Sequence, residues 1–114
     1  MTDIAYKIVP ADEWRLAVAE GVYAGSTVDL QDGYIHMSTE AQLAETARRH
    51  YAGLGDLVLL TVDLSDMGDD LVWEPSRGGA LFPHLYAPLR VSAVTAVRRL
   101  SVSSDGEMLL EETT

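Results

Sequence analysis

The sequence predicts an α+β fold with a mostly antiparallel sheet, and three observations carry that reading. Two early segments, PADEWRLAVAEG (10–21) and STEAQLAETARRH (38–50), repeat apolar residues at helical spacing. Several short β-rich runs are scattered along the chain and do not alternate regularly with helices as in a parallel βαβ array. The chain has 114 residues, the size of one domain, and folding at this length buries roughly 65% of the unfolded surface. Residues 1–114 are read as a single domain with its core over about 4–100 and an acidic C-terminal tail over 103–114.

Each element follows in order. IAYKIV (4–9) alternates and is a first strand. Pro10 then opens a helix in which Trp14, Ala17, Val18 and Gly21 share one face, and Asp12 and Glu13 sit in the first turn, where the helix dipole favours acids. VYAGSTVDLQDG (22–33) is rich in Gly, Ser, Asp and Thr and reads as a loop leading to a short strand, YIHMS (34–38). Thr39 and Gln42 form a capping box for a second helix over about 40–52, with Leu43, Ala47, His50/Tyr51 and Leu54 at helical spacing and Arg48 and Arg49 near its end. DLVLLTVDL (56–64) is nearly continuous in apolar residues, as a central strand covered on both faces must be. After the DMGDD turn, LVWE (71–74), LYAPL (85–89) and VSAVTAVRRL (91–100) read as strands. The tail SDGEMLLEETT is either a hairpin arm or partly disordered.

Composition narrows the function. Eight Lys+Arg against 18 Asp+Glu give a net charge of -10, which repels nucleic acid and anionic membrane surfaces. A small anion in a local basic pocket stays compatible, because salt screens such fields within about 8–10 Å. No cysteine is present, so disulfides, thiolate zinc sites and cysteine nucleophiles are excluded. The N-terminus has no leader-like pattern and no run approaches a membrane span, which makes a cytoplasmic soluble protein the expectation. No metal site is expected: His36, Glu74 and His84 form no short ligand motif, and Asp66, Asp69 and Asp70 lack calcium-loop spacing. Phosphate-loop, dinucleotide-binding and hydrolase-elbow motifs are absent.

WEPSRGGALFPHLY (73–86) fits neither an alternating strand nor a small polar loop. An acid, a base, two glycines, a histidine and three aromatics there point to a cleft. Glu74 is a candidate base or cation stabiliser, and Arg77 a candidate bidentate clamp on phosphate or carboxylate. Ser76, Gly78 and Gly79 would let the backbone approach a ligand, while the glycines serve equally to take up positive φ in a turn. His84 is a candidate acid or base, with Trp73 and Tyr86 as ligand-contacting aromatics; the alternative is that Trp73, Phe82 and Tyr86 are core. His36 and Ser38 in IHMS would place an imidazole and a hydroxyl side by side near a helix N-terminus. The bland counterparts are a buried histidine with capping hydroxyls, and a Glu74–Arg77 ion pair pinning a loop.

YKIVPADEW, GVYAGSTVDLQDGYIHMSTEAQ, LVLLTVD and WEPSRGGALFPHLYAPL together resemble the bacterial family termed Domain of Unknown Function 952, over residues 4 to 100. The resemblance implies an ADP-ribosyltransferase-like fold, with a split sheet around a cleft that holds NAD in the transferases. It also implies roles: His36 orients a ribose with Ser38 beside it, and Glu74 stabilises the oxocarbenium-like state. Arg77 and His84 are the counterparts of an Arg–His pair in related RNA 2′-phosphotransferases. NAD is thus the candidate substrate, with His36, Glu74 and His84 catalytic and Ser38, Trp73, Ser76, Arg77, Gly78, Gly79 and Tyr86 binding. The alternatives are a small-ligand binding module without turnover and a structural or regulatory protein whose polar residues form an internal network.

Overall fold

The computed structural model describes residues 3–76 and 78–111. The fold is α+β with antiparallel pairing throughout the named sheets, as the sequence predicted. Strands β1 (Ile4–Pro10), β4 (Leu57–Asp63), β8 (Val94–Val102) and β9 (Met108–Leu110) form a four-stranded sheet in the order β1-β4-β8-β9. Strands β3 (Ile35–His36), β5 (Leu71–Ser76) and β6 (Ala80–Leu85) form a second sheet with β6 in the middle, and β2 (Val22–Tyr23) pairs with β7 (Leu89–Arg90). The helices are α1 (Ala11–Glu20), α2 (Thr27–Asp32) and α3 (Glu40–His50).

The unbroken apolar run of β4 is explained by its two covered faces. Val58, Leu60 and Val62 join Trp14 and Ala17 of α1 and Ile35 and Leu85 of the second sheet in one core. Leu57 and Leu59 pack with Leu43 and Ala47 of α3 in the other. Each fully buried leucine such as Leu60 contributes roughly 1.5–3 kcal/mol. Val18 and Leu54, predicted on helical faces, are exposed instead. α3 stops at His50, so Leu54 lies beyond it.

Three expectations are corrected. The stretch 22–33 is not all loop: Ser26 and Asp29 make a reciprocal capping box and Gly33 closes α2 in a left-handed conformation. Six residues are too few to show a helical period. The 73–86 stretch is a hairpin, β5 and β6 joined through residues 77–79, and its second strand ends at Leu85 where a strand over 85–89 was expected to begin. Charged residues interleaved with Pro75 and Pro83 hid the alternation; edge strand β5 tolerates Pro75 because proline removes no essential ladder bond there. Strand β8 starts at Val94, after a 3-10 turn over Val91–Ala93. In the tail, β9 pairs with β8 as a hairpin arm, and residues 112–114 lie outside the described residues.

Lys7 is buried on the same side of β1 as Ala5 and Val9, facing α1 and the second sheet. The two sheets meet at an isolated bridge, where Tyr6 N–H donates to Ser38 O (2.8 Å) and Ser38 N–H to Tyr6 O (2.9 Å). That junction sets Lys7 beside β3.

Candidate functional site

Strand pairing builds the site. His36 lies opposite His84 between β3 and β6, His84 opposite Val72, and Glu74 opposite Phe82. Side chains alternate along a strand, so His36, His84 and Glu74 share one face of this sheet, while Ile35, Leu85, Trp73 and Leu71 turn to the core on the other. The two imidazoles meet edge to face at 5.6 Å between centroids.

Asp29 anchors the first half of the cluster. Its Oδ1 accepts His36 N–H (3.1 Å) and contacts His36 Nδ1 (2.6 Å); its Oδ2 accepts Ser26 N–H (2.9 Å) and pairs with Lys7 Nζ (3.2 Å). Lys7 Nζ also donates to His36 O (2.8 Å). Burial alone would raise the Asp29 pKa, but the His36 hydrogen bond, the Lys7 charge and the two backbone N–H groups outweigh it and hold the carboxyl well below the usual carboxylate range. Burial pushes the Lys7 pKa down against the pull of Asp29. The other ring nitrogen of His36, Nε2, faces Asp32 Oδ2 at 2.9 Å.

The second half centres on Glu74. Its Oε1 accepts the Tyr86 hydroxyl (2.7 Å) and lies 2.8 Å from His84 Nδ1. These two contacts, Tyr86 first, hold Glu74 below the ordinary glutamate range. The same bond raises the Tyr86 phenol to about 12. Tyr34 stacks on His84 at 4.1 Å and lies 4.6 Å from the His36 ring and 5.1 Å from Tyr86, bridging the two halves. Burial and the charges of Asp32, Glu74 and Asp29 raise its pKa.

Beside these rings, between α2 and residues 86–88, is a niche of about 220 Å³ lined by Leu30, Tyr34, Ile35, Leu85, Tyr86 and Pro88 among others. A larger hollow of about 440 Å³, walled by Asp63, Asp66, Met67, Asp70 and Arg90, contains none of the histidines. The smaller one shares Asp29, Tyr34 and Tyr86 with the polar cluster, and its walls likewise include neither histidine nor Glu74. Among the described residues, no group of three or more His, Asp or Glu is placed to hold a metal ion, and no helix is long and apolar enough to cross a membrane.

The structure thus brings together His36, Glu74, His84 and Tyr86 of the predicted residues. Ser38 is buried with Oγ 2.8 Å from Thr46 Oγ1, turned towards α3 and away from His36, because the bridge to Tyr6 replaces β3 pairing there. Trp73 packs on the core by the alternation of β5. Ser76 ends that strand, and Gly78 and Gly79 (φ 77° and 91°) shape the turn, away from the level of His84, which pairs with Val72. Arg77 lies outside the described residues. Sequence reasoning missed Lys7, Asp29, Asp32 and Tyr34. Signals existed for two of them: Lys7 is a charge at a core-facing strand position, and Asp29 is the fourth residue of the S-x-x-D box in STVD.

Comparison with known proteins agrees with the fold. A crystal structure of protein CC0527 from Caulobacter crescentus superposes with a TM-score of 0.88 at 49% identity, covering 93% of each chain. Its solution NMR structure gives 0.80 at 50% identity, covering 92% of this chain and 90% of that one. No curated protein matches. The family model described as "Protein of unknown function (DUF952)" matches residues 8–97, and the chain belongs to that family.

Proposed function

We propose that the His36–Glu74 face binds a ribosylated small molecule of the NAD or ADP-ribose type and supports ADP-ribosyltransferase-like chemistry at its anomeric carbon. The observation that carries the reading is the convergence of His36, Glu74, Tyr34 and Tyr86 on one sheet face beside a niche. In this scheme His36 orients the sugar, and the Glu74 carboxylate faces the positive charge that develops at C1′. The C1′–N bond breaks with its electron pair leaving on nicotinamide, and water or another acceptor adds to C1′ and releases a proton. His84 holds Glu74, and the tyrosines offer π faces to a planar group.

A second reading has its own support. Glu74 Oε1 is occupied by both His84 and Tyr86, and Asp29 is fully satisfied, as an internal network organising the junction of the sheets would be. The deciding experiment is thermal shift and calorimetry with NAD, ADP-ribose and nicotinamide on wild type, His36→Ala and Glu74→Gln, followed by an assay of NAD cleavage. Stabilisation lost in His36→Ala supports the site, and cleavage lost in Glu74→Gln supports the chemistry. Silence from every ligand, with both variants strongly destabilised, favours the network.

A further inference from the structure

The two carboxylates on His36 are not equivalent. Asp29 is the fixed one: its side chain is 2% exposed, and three further contacts from Ser26, Lys7 and the His36 amide hold it. Gly25 (φ 119°) packs against it so closely that a Cβ there would fall 2.9 Å from Asp29 Cβ. Asp32 is the exchangeable one: its side chain is 47% exposed, and its contact with His36 Nε2 is the sole polar side-chain contact it makes among the described residues. It sits on the last residue of α2, before Gly33 in a left-handed conformation.

Both ring nitrogens of His36 face carboxylate oxygens, and only the imidazolium donates from both. With the ring in that form, Lys7 and His36 face Asp29 and Asp32 as two cations against two anions. Removing Asp32 leaves one positive charge in excess, pointed through Nε2 at solvent-accessible space. Across the sheet face, the negative charge of Glu74 is engaged by His84 and Tyr86, and Tyr34 covers the gap between the two imidazoles. A hydroxyl in place of Asp32 would fill the hydrogen bond and leave the charge unbalanced; an oxyanion fills both.

We propose that His36 Nε2 is an oxyanion subsite that Asp32 occupies in the free protein, and that a ligand's carboxylate or phosphate oxygen enters by displacing Asp32. The inference rests on reading this face as a ligand site and narrows its ligand to one bearing an oxyanion, such as a phosphorylated riboside in place of a free one. Asp29 and Lys7 are positioning residues, which keep the ring aimed while its outer partner changes.

The test uses acetate and inorganic phosphate, so it is independent of nucleotide binding. His36 ring signals are followed by heteronuclear NMR in wild type, Asp32→Ala and Asp32→Asn. Each anion should shift the Nε2 signal saturably in Asp32→Ala, with an apparent Kd at least about tenfold below wild type, the value of one charge-assisted hydrogen bond. Asp32→Asn, which keeps the shape and loses the charge, should fall between them and carries the test if the alanine variant is poorly folded. A response to phosphate alone identifies a phosphate subsite, and a response to both a general oxyanion subsite. Equal response in wild type and both variants, or a thermal shift with either anion that survives in Asp32→Ala/His36→Ala, overturns the proposal. Failure of NAD or ADP-ribose to bind while the anions behave as expected would refute only the nucleotide reading.

Discussion

Replacing Asp29 with Asn removes the charge at the centre of the polar cluster while keeping its volume. The carboxylate takes four donors, His36 N–H and Nδ1 on one oxygen and Ser26 N–H and Lys7 on the other. An amide accepts on only one of its two ends, so one set of donors loses its acceptor and the Lys7 ammonium stays buried without a counter-charge. Breaking a buried pair from one side costs about 3–5 kcal/mol. At about 4 °C per kcal/mol for a domain of this size, Tm should fall by about 12–20 °C. Lys7→Met should cost less, about 1–3 kcal/mol, because it removes the buried cation and leaves Asp29 three donors. The double variant should be less destabilised than the sum by about 1–3 kcal/mol. Urea unfolding followed by Trp14 and Trp73 fluorescence measures all three. A loss below about 1 kcal/mol for Asp29→Asn, or additivity within about 0.5 kcal/mol, would refute the reasoning. The pH dependence has a definite sign. The folded carboxyl is held below its unfolded value of about 3.9, so its contribution is complete above that pH and is lost as pH falls through the folded value. Asp29→Asn should flatten the acid limb of the stability curve.

Three further outcomes are expected. Ultraviolet titration should show the Tyr86 phenol, identified by difference against Tyr86→Phe, ionising near about 12; Glu74→Gln should bring it back towards about 10, since the Glu74 hydrogen bond is the leading cause. This raised phenol stabilises the fold fully below its unfolded pKa of about 10, and the contribution fades as pH rises through about 12. Gly78→Ala meets open space and should cost only the left-handed backbone penalty, about 1–2 kcal/mol, with ligand response intact; Gly25→Ala should cost more and shift the His36 NMR signals, since its Cβ presses on Asp29. Ser38→Ala should cost about 1 kcal/mol through the Thr46 hydrogen bond and leave ligand response unchanged; lost response would place Ser38 back in the site.

What the sequence determined by itself was local. Periodicity and cap chemistry gave α1 and α3, the apolar run gave β4 as an interior strand, and IHMS and the 73–86 stretch drew attention to His36, Glu74, His84 and Tyr86. Those signals survive because they depend on neighbours within a turn of helix or a few strand residues. Tertiary structure decided which face each strand shows and therefore which candidates meet. Trp73 and Glu74 are adjacent in sequence, yet pairing with β6 sends one to the core and the other to the site. Lys7, Asp29 and His36 come together only because β1 meets the residues after β3 at the Tyr6–Ser38 bridge and a short capped helix carries Asp29 over them. Contacts between residues as far apart as Tyr6 and Ser38 leave no periodic trace in the chain; they are fixed by register, which a single residue's slip would invert.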